Sequence, residues 1–167
     1  MTKDRPIGIG LVGAGFIGSL HARNLHDSPR FELVVVAEPD PAKAHTVGAA
    51  TGARTTDDWR TLLDDPSLEA VLIASPAEDH PEQVAAFARA GKHVYCEKPL
   101  GLTLAAADDA VAAVEQAGTL LQMGFNRRLD PSLAALRDHV AQGAVGDPLV
   151  VHIISRDPGL PGPEYQR

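Results

Sequence analysis

A glycine pattern set between a strand-like run and a helix-like run decides what this chain folds into. Gly13-Ala14-Gly15-Phe16-Ile17-Gly18 follows the apolar run Ile7 to Val12 and leads into the amphipathic stretch Ile17 to Leu25. A GxGxxG pattern alone is a weak signal, but at a strand-to-helix turn each glycine has a mechanical reason. Gly13 permits the tight turn, Gly15 lets a phosphate-bearing ligand approach the backbone, and Gly18 lets the helix lie close to the strand. The start of the helix then offers free N–H groups and partial positive charge to the phosphates.

The same alternation continues along the chain. Strands are expected at Phe31 to Ala37, Ala70 to Ala74, His93 to Cys96 and Leu120 to Met123. Helices are expected at Pro41 to Ala50, Pro81 to Ala90, from a Thr103 cap to Ala117, and at Pro131 to Gln142, with a short one capped by Asp57 and Asp58. Strands that are apolar throughout are buried on both faces, and their alternation with helices predicts an α/β fold with a doubly wound parallel sheet. The apolar share of 44% and charged share of 22% are those of a folded chain. A net charge of −7 argues against nucleic acid or an anionic membrane as partner. The single cysteine, Cys96, excludes an intrachain disulfide and points to the cytoplasm. The glycine-rich N-terminal run is too short for a signal segment or a membrane span. No second cysteine or neighbouring histidine suggests a metal site.

Glu38 ends the second strand, 20 positions beyond Gly18. A carboxylate there can accept hydrogen bonds from the adenosine ribose hydroxyls and would repel a 2′-phosphate. No arginine follows in Glu38-Pro39-Asp40-Pro41, so NAD is favoured over NADP. FAD uses the same fingerprint, and S-adenosylmethionine proteins use looser versions of it.

Glu97-Lys98-Pro99, closing the strand that ends at Cys96, resembles the signature of the Gfo/Idh/MocA oxidoreductases. Ala74-Ser75-Pro76 followed by His80 is similar to that family's cofactor-contacting loop, and Gly124 to Asp130 to a later family segment. Ser155-Arg156-Asp157-Pro158 most resembles the inositol 2-dehydrogenase branch. The resemblance argues against FAD and S-adenosylmethionine. It implies an NAD-dependent dehydrogenase that passes a hydride from a secondary alcohol of a sugar or polyol to the nicotinamide. Gly13, Gly15, Phe16, Ile17, Gly18, Glu38, Ser75, Pro76, His80, Glu97 and Lys98 would then hold the cofactor. Lys98 would also be catalytic, its ammonium orienting the alcohol and lowering its pKa. Pro99 would fix the local turn, and Arg127 and Asp157 would contact the polyol.

The resemblance also marks a departure. The family's catalytic base is a histidine in a C-terminal domain, and that motif would fall after Arg167. Residues 1–124 are therefore expected to form the dinucleotide-binding Rossmann domain. Residues 125–167 would form a connecting helix and the first strand, Leu149 to Ser155, of a truncated second domain. A tail with three prolines and two glycines follows that strand. On this reading the family's homo-oligomer is lost, and the alternative is an NAD-binding module with little or no catalysis of its own. Among the histidines, His80 reads as a helix-entry residue bonded to backbone or as a cofactor neighbour. His93 and His152 read as structural, and His21, His26, His45 and His139 as surface residues.

Overall fold

In the computed structural model, which describes residues 5–156 and Gly159, six strands form one sheet. They are β1 (Ile7–Val12), β2 (Phe31–Ala37), β3 (Arg54–Thr56), β4 (Ala70–Ile73), β5 (His93–Cys96) and β6 (Leu121–Met123). Their order is β3-β2-β1-β4-β5-β6, with every neighbouring pair parallel. Side chains alternate across a strand, so two apolar layers are needed. Leu11, Val36 and Leu72 enter one layer, which takes in Ala22 and Leu25 of α1 (Phe16–Asp27) and Val47 of α2 (Pro41–Thr51). Val12, Val35 and Ile73 enter the other, with Val84 and Phe87 of α3 (His80–Arg89) and Ala110 and Val114 of α4 (Leu104–Ala117). The expected doubly wound sheet is present, and covering both faces explains the uninterrupted apolar runs.

Local chemistry sets the helix ends. Asp40 accepts the N–H groups of Ala42 and Lys43 at the start of α2, and Thr103 accepts that of Ala106 at the start of α4. Gly52 and Gly118 close these two helices in the left-handed region. The turn Trp59–Leu62 starts from Asp58, whose side chain accepts the Arg60 N–H. No helix among the described residues is long and apolar enough to cross a membrane.

Two sequence expectations need correction. Strand β3 was not anticipated: Arg54, Thr55 and Thr56 carry no apolar pattern and pair with β2 through backbone alone, Val35 facing Arg54. Leu149 to Ser155, expected as a strand, forms none. Leu149, Val150, Val151, Ile153 and Ile154 are exposed. β-branched composition makes a segment compatible with a sheet, but a strand exists only where its N–H and C=O groups find partners. The described residues divide into two units after Phe125. The second holds a turn, Asn126–Leu129, and α5 (Pro131–Ala141), whose first turn is capped by Asp130.

The edge strand β3 is clamped by charge. Arg54 Nη2 donates to Asp65 Oδ2 at 2.7 Å, and Ser67 donates to Asp65 Oδ1 through both its hydroxyl and its N–H. The Ser67 hydroxyl, then the Arg54 hydrogen bond, bring the Asp65 carboxyl down to about 2. A carboxyl depressed on folding stabilises above its unfolded value of 3.8 and loses that contribution as pH falls toward about 2. Denaturant unfolding at a series of pH values should show stability falling across this window, with a shallower fall in Asp65→Asn. An equally steep fall in the variant would remove Asp65 from the account.

Candidate functional site

The end of β1 lies between the ends of β2 and β4, where the strand order reverses direction. In open parallel sheets ligands bind in the crevice at such a point. The loop from Gly13 to Gly15 crosses it. Gly13 has φ +89°, and a Cβ there would come within 2.7 Å of the Ala74 carbonyl oxygen. Its N–H donates to Ala37 O at 2.8 Å. At Gly18 a Cβ would collide with the Gly13 carbonyl oxygen, so the helix packs on the loop only without a side chain. Gly15 is the opposite case: a Cβ there would meet nothing within 4 Å. The space a side chain would fill is open, and the residue caps α1 without a side-chain hydrogen bond.

The first intrahelical bond of this turn runs from Ser19 N–H to Gly15 O at 2.8 Å. The N–H groups of Phe16, Ile17 and Gly18 therefore have no partner within the helix and point out of its positive end. Phe16 is 83% exposed and Ile17 37%, so their contribution to an anion site is backbone.

Glu38 is 8% exposed, an unusual depth for a carboxylate. Its Oε2 accepts the Ala14 N–H at 2.7 Å, and its Oε1 accepts the Asp40 N–H at 3.0 Å. The side chain thus ties the glycine loop to the β2–α2 turn. Each oxygen keeps further acceptor capacity for a ribose hydroxyl. The open cradle at Gly15, the free donors of α1 and the anchored acceptor at Glu38 fit a dinucleotide.

Two loops form the other side of the crevice. After β4, the Ser75 hydroxyl donates to Gln83 Oε1 at 2.6 Å, and Pro76 is exposed. After β5 come Glu97, Lys98 and Pro99, with the Glu97 N–H bonded to Ile73 O at 2.9 Å and the Lys98–Pro99 peptide cis. The Lys98 side chain is exposed and forms no ion pair among the described residues. An ammonium held this way is available to a ligand.

Of the two readings of His80, a helix-entry residue bonded to backbone or a cofactor neighbour, the structure takes the first. His80 is 1% exposed, with Nδ1 at 2.7 Å from Pro99 O and Nε2 at 2.9 Å from Ser75 O. Both nitrogens face backbone carbonyls, so the imidazole joins the two loops from beneath and has no edge left for a ligand.

His21 is the residue the sequence reading placed wrongly. Its Nε2 lies 2.9 Å from Glu97 Oε1, with the two side chains 19% and 17% exposed. Its ring meets Tyr95 edge-on at 5.4 Å. The signal was available: Gly18, His21, Ala22 and Leu25 follow the i, i+3, i+4, i+7 spacing of a buried face. Around this pair the Tyr95 phenol is raised above its usual range by burial and by the Glu97 carboxylate, to which it donates. Burial, with the same negative charge, pushes Cys96 up to about 12. Cys96 is thus a buried thiol and not a nucleophile.

Arg127 stands exposed in the turn Asn126–Leu129 of the second unit. Asp157 lies outside the described residues. Among the described residues no group of three or more His, Cys, Asp or Glu side chains is placed to hold a metal ion.

The chain is similar to known proteins over most of its length. The family model described as an oxidoreductase family with an NAD-binding Rossmann fold matches residues 7–125. The inositol 2-dehydrogenase of Acidothermus cellulolyticus is 40% identical over 96% of this chain and 48% of its own length. The myo-inositol 2-dehydrogenase of Thermotoga maritima is 38% identical over 95% of the chain and 48% of its own. Among solved structures, the scyllo-inositol dehydrogenase of Lactobacillus casei with bound NAD(H) and scyllo-inositol superposes with a TM-score of 0.81 at 32% identity, over 85% of this chain and 43% of that one. The chain spans about half the length of the curated relatives it matches.

Proposed function

Because the chain belongs to the Gfo/Idh/MocA oxidoreductase family, with its NAD-binding Rossmann fold, we propose that it binds NAD and serves as the cofactor half of a polyol dehydrogenase. The substrate class is a cyclic polyol of the inositol type, by analogy with the relatives above. The observation that carries the cofactor reading is Glu38, a buried carboxylate fixed by two backbone N–H groups beside an open glycine cradle. The donors of α1 take the pyrophosphate, and Glu38 takes the adenosine ribose. Ser75, Pro76 and Glu97 line the nicotinamide half. NAD, when bound, supplies the hydride acceptor.

Lys98 orients the alcohol and stabilises charge developing on its oxygen. Removal of the hydroxyl proton requires a base. His80 and His21 are both committed to protein partners, and neither is assigned that role. Arg127 and Asp157 are proposed as polyol contacts by the family resemblance. That commitment of both histidines favours a second reading, a cofactor-binding module without turnover of its own. We assign the chain to the cytoplasm on its single, buried cysteine.

Calorimetric titration with NADH and with NADPH tests the cofactor. NADH is expected to bind and NADPH to bind more weakly, by about tenfold or more for one repelled phosphate. Equal affinity for the two would remove Glu38 as the discriminating group, and binding of neither would end the reading. Following absorbance of reduced cofactor after adding inositol to the NAD-loaded chain separates the two readings of activity. Reduction supports a dehydrogenase, and its absence supports the module.

A further inference from the structure

We propose that His21 is a positioning residue for the Glu97–Lys98 loop, acting on the nicotinamide half of the site from the helix that binds the phosphates. This rests on the dinucleotide reading above. The Glu97 carboxylate is held by three groups. His21 Nε2, on α1, meets Oε1 at 2.9 Å, and the Tyr95 hydroxyl, on β5, reaches the same oxygen at 3.5 Å. The Lys98 N–H donates to Oε2 at 3.3 Å. Beyond β6, a Cβ at Gly124 would stand 2.9 Å from both Glu97 Oε1 and the Tyr95 hydroxyl. A glycine there leaves the room this cluster occupies.

Of these contacts the histidine makes the short one. Without it, Oε1 keeps only the long phenol contact, and nothing on α1 holds the side chain. A link that merely fastened α1 to the sheet would need no carboxylate at the ligand edge, since α1 already buries Gly18, Ala22 and Leu25. Here the acceptor is the residue next to Lys98, at the end of β5. The strand order places β4 and β5 across β1 from β2. Glu38, at the end of β2, marks the adenosine side, so Glu97 belongs to the opposite half. His21 therefore couples the phosphate helix to the loop that carries the ammonium.

The coupling separates two ligands. NADH reaches both halves of the crevice. ADP has the adenosine and two phosphates but neither the second ribose nor the nicotinamide. His21→Phe keeps a ring against Tyr95 and removes the nitrogen. His21→Gln keeps a donor near the Nε2 position. In calorimetric titrations His21→Phe is expected to weaken NADH about tenfold, the scale of one charge-assisted hydrogen bond, while ADP stays within about twofold of the unaltered chain. His21→Gln should restore NADH affinity. Should the phenylalanine not be accommodated, as read from the thermal melt, His21→Ala carries the same expectation. Equal weakening of both ligands would make His21 a structural residue of α1 and overturn the proposal. So would unchanged NADH affinity, or failure of the glutamine variant to recover it. If the unaltered chain binds neither ligand, the cofactor reading itself falls and takes this one with it. Binding by the unaltered chain with no effect of His21→Phe removes only the positioning role.

Discussion

Replacing Gly18 with alanine is expected to cost about 3 kcal/mol or more of stability, the upper range for forcing one extra carbon into a packed interior. The added Cβ would collide with the Gly13 carbonyl oxygen. That oxygen has nowhere to go. The Gly13 N–H is bonded to Ala37 O, and behind Gly13 stand Ala74 and Ser75, whose backbone atoms lie 2.7 to 2.8 Å from where its own Cβ would be. Relief must come from lifting α1 off the sheet, which opens the layer around Ala22 and Leu25. For a domain of this size the melting temperature should drop by about 6–12 °C. Gly15→Ala is the matched control. It adds the same carbon to the same loop at a point with open space, and alanine in place of glycine at a helix N-cap costs only roughly 0.5–1 kcal/mol. Its melting temperature should drop by only about 1–4 °C while its NADH affinity falls. A Gly18→Ala variant that melts like the unaltered chain would show that the loop yields where the structure leaves it no space.

Glu38→Ala is expected to act on both stability and ligand choice. The Ala14 N–H, in a residue 3% exposed, loses its acceptor. An unpaired buried donor costs about 1–3 kcal/mol. The adenosine ribose loses a charged acceptor, so NADH affinity should fall roughly 10- to 100-fold, the span for hydrogen bonds to a charged group. NADPH should not suffer the same loss, because the repulsion of its 2′-phosphate disappears with the carboxylate. The ratio of the two affinities, read by calorimetry, is therefore the sharper measurement. A ratio unchanged from the unaltered chain would show that Glu38 does not set the preference. Glu38→Gln should not rescue fully. Two N–H groups, of Ala14 and Asp40, converge on the two oxygens, and an amide turns one of those oxygens into a donor facing a donor.

The parts legible in the sequence are those whose function depends on residue type at a fixed local spacing. Gly13, Gly15 and Gly18 each answer a steric demand within six positions, and Glu38 ends an apolar strand at a readable distance from them. Strand β3 lacked such a signal, because Arg54 to Thr56 contribute backbone pairing and no buried face. Leu149 to Ser155 erred the other way, since its side chains advertise a strand while pairing depends on a neighbour that composition does not reveal. His80 shows a third limit. Its place at the entry to α3 and its bonding to backbone were readable, but not which carbonyls it meets, those of Ser75 and Pro99, since a carbonyl has no residue-type signature. For His21 the buried helical face was visible. Its partner Glu97 lies 76 positions away, a distance only the folded sheet closes.

The way the glycine loop is held has a kinetic consequence. With Gly13 bonded to Ala37 and Ala14 to Glu38, the segment that must greet the pyrophosphate is immobilised before any nucleotide arrives. Ordering entropy is then lost during folding and not during the encounter. The adenosine half should accordingly dock as onto a rigid template, with association governed by diffusion and orientation.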